Sequence, residues 1–229
     1  MPSLIQKIND RQNIAKWKKE YSVINNFVDK VTADNIMICA SYNGYGGCNV
    51  HESKVFSDEF LDAFETNIDI VDSCNGRSGN DCDNYSYWSP KDIKYKWSGL
   101  AYYTTATRYN SLYGKCSDCG INAYNMGTQA YLLKDGAAIY LGTSHGGPYV
   151  VVDVNNAQKG PNQLGRDLFA VKLLATTKAQ KAMPLGADGT QYTSEPNGTN
   201  GCSKDIGNKS ANYLHEASGA GCSAKYLLE

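Results

Sequence analysis

Cys116-Ser117-Asp118-Cys119 has the spacing of a zinc knuckle or a thiol-redox pair. A four-thiolate zinc site needs a second close pair, and Cys202 and Cys222 stand too far apart in sequence to form a ribbon. A redox pair belongs at a helix N-terminus after a strand, whereas Gly114 and Gly120 surround this one with turn residues, so a structural disulfide is the preferred reading. His51, His145 and His215 are the only histidines, and no metalloprotease spacing joins them; they read as loop or surface residues. Asp153, Asn155 and Asp167 could supply oxygen ligands to calcium around the loop from Gly160 to Gly165, although the terminal Glu of a full calcium loop is missing. Asx turns that satisfy loop N–H groups are the competing and preferred account of the same three residues. Asp188-Gly189 and Asp81-Cys82-Asp83 are weaker candidates of the same kind.

The elements that must position these groups belong to a chain of 229 residues with Lys+Arg 22 against Asp+Glu 23, both signs mixed along its length. Such a balance argues against nucleic-acid binding and fits one domain, 1–229. Tyr 17 and Gly 22, with runs of Asn, Ser and Thr, suit an α+β protein rich in wet turns. Eight cysteines, Cys39, Cys48, Cys74, Cys82, Cys116, Cys119, Cys202 and Cys222, imply an oxidising compartment. The count leaves many connectivities open, and pairing of neighbours is expected because each pair closes a short loop.

From Pro2 to Val31 the residues Ile14, Trp17, Tyr21, Ile24, Val28 and Val31 recur at steps of three and four, which predicts a long amphipathic helix packed along one face. The region 32–121 reads as irregular, with a short helix over 57–67 capped by Ser57 and burying Phe60, Leu61 and Phe64. An antiparallel sheet of about four strands is expected in 122–174: Ala123 to Leu133, Ala137 to Gly142 after the Lys134-Asp135-Gly136 turn, Tyr149 to Val154, and Leu168 to Leu174. The remainder, 175–229, reads as a loop closed by Cys202 and Cys222, with little regular structure before Lys225 to Leu228.

Several strings resemble the type IV pilins and the pseudopilins of type II secretion. Pro2-Ser3-Leu4-Ile5 leading into Asp10-Arg11-Gln12 and Lys18-Lys19-Glu20-Tyr21-Ser22 is similar to the segment that follows the family's apolar prepilin helix. Val151-Val152-Asp153-Val154-Asn155, with Lys159-Gly160-Pro161-Asn162, Gly165, Asp167 and Phe169, resembles its strand-loop-strand string, with Asn156 standing where related sequences usually place Gly. Gly221-Cys222-Ser223-Ala224-Lys225 resembles a pilin-type ending.

The resemblance implies a pilin-like fold, a helix crossing an antiparallel sheet, in a structural subunit of an extracellular filament that is membrane-anchored before assembly. It implies no enzymatic activity and no cofactor beyond calcium, which some pseudopilins bind in a loop. The expected partners are identical or related subunits and, through an upstream helix, the inner membrane; no nucleic acid is expected. Met1-Pro2 and Leu228-Glu229 read as traces of a trimmed expression product, monomeric once its apolar helix has been removed. Two rival readings stay open. One is an adhesive minor pilin binding a glycan through the Tyr- and Trp-rich stretch from Tyr42 to Tyr113; the sequons at Asn84, Asn197 and Asn208 are triplets that arise readily by chance in Asn-rich loops. The other is a secreted hydrolase or thiol enzyme, which requires a free thiol or converging titratable groups.

Overall fold

A computed structural model describes residues 4–42, 48–49, 55–75, 129–144, 147–156, 159, 165–176, 179–187, 202 and 222–228. The helix expected from periodicity is α1, Leu4–Ala33, about 45 Å long at 1.5 Å per residue. It buries Asn13, Trp17, Glu20, Ile24, Phe27, Val28 and Val31 on one face. Two expected members of that face, Ile14 and Tyr21, are only half-buried, while Asn13 and Glu20 lie inside. Helical phase, not polarity, decides which side chains meet the sheet.

The second helix, α2 (Asp58–Asn67), forms where the Ser57 signal placed it: the Ser57 hydroxyl accepts from Phe60 N–H at 3.0 Å, and Asp58 and Glu59 complement the N-terminal dipole. Its Phe60 and Phe64 join Phe27 of α1, and Phe64 meets Tyr131 of the sheet at 5.0 Å between ring centroids. Lys30 Nζ donates to the Asn67 side chain at 2.8 Å and ties the two helix ends together.

The sheet is a six-stranded antiparallel meander, not a four-stranded one. Its order is that of the chain: β1 (Ile70–Asn75), β2 (Gln129–Leu133), β3 (Ala138–Ser144), β4 (Gly147–Asp153), β5 (Leu168–Ala175) and β6 (Gln180–Pro184). The four expected strands are the central ones, and the two unforeseen strands are the edges. An edge strand needs only one paired ladder and tolerates the Asp72, Ser73, Gln180 and Lys181 that concealed them. β6 also corrects the expectation of an irregular segment after 175. Its open side is closed by α1 and the chain that follows it: Gln180 accepts from Ile38 N–H at 2.7 Å and donates to Ile36 C=O at 2.8 Å, and Tyr21 OH donates to Ala182 C=O at 3.2 Å.

Both faces of the central strands are buried, so Tyr149 through Val154 form a continuous run inside the protein. That is the composition expected of a doubly covered strand. On the helix side, Trp17 stacks on Phe169 with centroids 4.9 Å apart.

The last element, α3 (Cys222–Leu228), begins three residues earlier than expected and locks this junction. Trp17 Nε1 donates to Ser223 C=O at 2.9 Å, the Ser223 hydroxyl accepts from Ala170 N–H at 3.0 Å, and Ala224 N–H donates to Leu185 C=O at 3.0 Å. The Cys202–Cys222 disulfide anchors α3, and a loop of its 20-residue separation favours folding by about 3 kcal/mol through lost chain entropy. Cys39–Cys48 closes a second of the four expected neighbour pairs. The Cys74–Cys82 and Cys116–Cys119 pairings lie outside the side chains described.

Candidate functional site

Two hairpin ends meet α1, and each presents an acidic pair. At the β4–β5 connection Asp153 closes β4 and Asp167 directly precedes β5, with Val154 N–H donating to Asp167 C=O at 2.9 Å. Asn155 lies between them: its N–H donates to Asp153 Oδ1 at 3.2 Å, and its side-chain amide donates to Asp167 Oδ2 at 3.3 Å. The three residues named from sequence are therefore brought together, and the first of these bonds is an Asx turn.

Asn156 adopts a left-handed conformation with φ 77°, the backbone state that glycine takes most cheaply and asparagine tolerates best among other residues. The Asn-for-Gly departure at this position thus preserves a turn that needs positive φ.

Asp153 and Asp167 are both fully buried. Burial, reinforced by the Asp167 carboxylate, pushes the Asp153 carboxyl well above the usual range, and the N–H groups of Asn155 and Asn156 offset this only in part. Asp153 Oδ2 lies inside the protein and meets no hydrogen-bond donor among the described residues. A proton or a bound cation would relieve that isolation. The donor set is oxygen-only and suits calcium in type. Among the described residues, however, no three acidic, cysteine or histidine side chains gather around one point to hold a metal ion.

Beside this pair, the start of α1 and the β4–β5 connection enclose a cleft of about 460 Å³ lined by Ile5, Gln6, Asn9, Asp10, Asn13, Lys16, Asn155, Lys159 and Arg166 among others. Lys16 Nζ donates to Val154 C=O at 3.2 Å. The Arg166 guanidinium donates twice to Asp10 Oδ1, at 2.8 and 3.2 Å, and pins α1 to the hairpin.

The second acidic pair lies at the β2–β3 turn and was not anticipated. Glu20, only 1 % exposed, faces Asp135, and Lys19 Nζ lies 2.5 Å from Asp135 Oδ2 and 3.2 Å from Glu20 Oε1. Burial and a hydrogen bond with Asp135 raise the Glu20 carboxyl to about 7. Burial acts on Asp135 in the same direction, but hydrogen bonds from Lys19, Glu20 and Ala137 N–H overcome it and hold Asp135 at about 2. Below about pH 7 the pair therefore favours a proton on the glutamate rather than on the aspartate. By its charge Glu20 reads as part of the solvent side of the helix with Arg11, Lys16, Lys18 and Lys19, and the structure corrects this: three residues after Trp17 and four before Ile24, it falls on the buried stripe.

No protein-family model, curated protein or solved structure matches this chain. Among the described residues no helix is long and apolar enough to cross a membrane. His51, His145, His215, Cys82, Cys116, Cys119, the three sequons and most of the aromatic stretch from Tyr42 to Tyr113 lie outside the described residues.

Proposed function

We propose that this chain is the globular part of a structural subunit of a type IV pilus-like or type II secretion-like filament, with no catalytic role of its own. The observation that carries the reading is the way α1 is used. From Asn13 to Val31 the helix is buried on an antiparallel meander, while its first turns stand clear of the core with Leu4, Ile5 and Ile8 exposed. A helix that continued upstream as an apolar rod would anchor the subunit in a bilayer and later pack among neighbouring helices, leaving the sheet and its stapled loops as the filament exterior. The sequence strings described above and the two disulfides among the described residues, which suit an exported protein, point the same way.

Calcium at Asp153, Asn155 and Asp167 belongs to this reading only as a stabilising ion in the β4–β5 connection. These residues would hold it through side-chain oxygens.

The test is the native reading frame expressed in its own cell. A run of about 20 apolar residues directly before Pro2, preceded by a short basic leader, is expected. Filaments that label with antibody to this chain and vanish on its deletion are expected with it. A reading frame that starts at Met1, or a cell that makes the protein without assembling it, overturns the proposal.

A further inference from the structure

Asn13 is only 8 % exposed and lines the cleft between α1 and the β4–β5 connection. Its carboxamide makes no hydrogen bond among the described residues. An amide taken out of water and left unpaired is destabilising, so a side chain held in this way suits a partner that the fold itself does not supply. Helical phase places Asn9 and Lys16 beside Asn13, at steps of four and three, and Gln12 borders the same cleft. The side chains of Asn9, Gln12 and Lys159 likewise have no hydrogen-bond partner among the described residues. Lys16 gives one N–H to the Val154 carbonyl and keeps its remaining donors. In the lining, the cations Lys16, Lys159 and Arg166 face one carboxylate, Asp10, which Arg166 already engages, so the cleft is positive.

Cations alone would suit any anion, and the carboxamides narrow the class. Each joins an acceptor oxygen to donor N–H groups, whereas an ionised phosphate or simple carboxylate brings acceptors only and leaves the amide oxygens unmatched. A hydroxyl both donates and accepts. No aromatic ring lines the cleft among the described residues, so a nucleobase or an aromatic acid finds nothing to stack on. We propose that this cleft binds an anionic sugar, its carboxylate or phosphate held by Lys16 and Lys159 and its hydroxyls by Asn9, Gln12 and Asn13. The volume of about 460 Å³ lies within the ~300–1,000 Å³ of small-molecule sites. The inference goes beyond the filament reading and does not rest on it, and the cleft is separate from the Tyr- and Trp-rich stretch weighed above for glycans.

The experiment is titration of the 229-residue protein with galacturonate, glucose 6-phosphate, galactose, glucose, acetate and inorganic phosphate, followed by amide chemical shifts. Saturable binding of galacturonate or glucose 6-phosphate is expected, and the tighter of the two identifies the anionic group. The neutral sugars and the simple anions are expected to bind at least about tenfold more weakly. Lys159→Gln, at an exposed position, is expected to weaken binding about tenfold. Asn13→Leu, which keeps the branched shape, is expected to weaken it by a similar factor while the melting temperature of the unliganded protein stays level or rises, because an unpaired amide has left the interior. Lys181→Gln, exposed on β6, binds as the parent does. No saturable binding, neutral sugars or simple anions that bind as tightly, or an unaltered affinity in Lys159→Gln overturns the inference. So does a lower melting temperature in Asn13→Leu, which would show that the amide serves the fold. An absent upstream apolar segment would end the filament reading and leave this result untouched.

Discussion

The β2–β3 turn and the β4–β5 connection are built alike and end in opposite electrostatic states. In each, an aspartate accepts from the N–H two residues on, Ala137 for Asp135 and Asn155 for Asp153. In each, a residue with positive φ completes the turn, Gly136 or Asn156. Each has a second carboxyl close by and a lysine of α1 above it. The difference is where the ammonium stops. Lys19 reaches Asp135 itself, so that carboxyl is held low while Glu20 is pushed up. Lys16 stops at the Val154 carbonyl, and Asp153, more deeply buried, is pushed up instead. The Lys19 contact therefore helps to lower Asp135, while burial raises Asp153, although the turn chemistry is the same.

The largest expected effect that could break this comparison is at Asp153. Asp153→Ala leaves the half-buried Asn155 N–H without this acceptor and is expected to cost about 1–3 kcal/mol in urea unfolding. Asp153→Asn keeps an acceptor oxygen and removes the need for a proton, so it is expected to stay near the parent at pH 7. Calcium is expected to leave the melting temperature of the parent unchanged if Asp153 carries a proton. A calcium-dependent rise abolished by Asp153→Asn would replace the proton with the cation.

Next is the pH dependence of Glu20. Its folded value of about 7 lies above the ordinary 4.5, so the folded state holds a proton that the unfolded chain has released. Its contribution is full below about pH 4.5 and is lost as pH rises towards 7, at a limiting slope of about 1.4 kcal/mol per pH unit. Asp135, held at about 2, acts in the opposite sense: its contribution is present above its ordinary 3.8 and lost as pH falls through about 2. Denaturant unfolding from pH 4 to 8 is expected to show falling stability in the parent and a shallower fall in Glu20→Gln. Equal slopes would show that Glu20 does not hold the proton.

A smaller effect separates turn geometry from charge. Asn156→Ala is expected to cost about 1–2 kcal/mol because alanine is strained at φ 77°, whereas Asn156→Gly is expected to be nearly neutral. Smallest is Lys19→Gln: Lys19 is 60 % exposed, and such a pair contributes about 0.2–1 kcal/mol. Its sharper readout is the Asp135 carboxyl titration by NMR, expected to move upward when the ammonium is removed.

The long helix, the Ser57 cap and the four central strands were legible because each depends on a local signal: helical spacing, a capping hydroxyl, or a dense apolar run between turn residues. The edge strands were not, since Ile70–Asn75 and Gln180–Pro184 are short, partly polar and defined by a neighbour's ladder. Asp153, Asn155 and Asp167 could be named from their types and order, and their proximity follows from the antiparallel pairing of β4 with β5. Glu20 with Asp135 could not be named, because 115 positions separate them and no spacing rule joins a helix face to a distant turn.

The sequence by itself determined the class of each central element and the turns around Asp135 and Asp153, and made the neighbour pairings Cys39–Cys48 and Cys202–Cys222 the expected ones, because these rest on interactions between residues near in the chain. Only the tertiary structure decided which acids are buried, where Lys16 and Lys19 terminate, and that the first turns of α1 leave three aliphatic side chains facing outward. Desolvation and charge pairing depend on what lies across space, and the packing of the helix on the sheet supplies that.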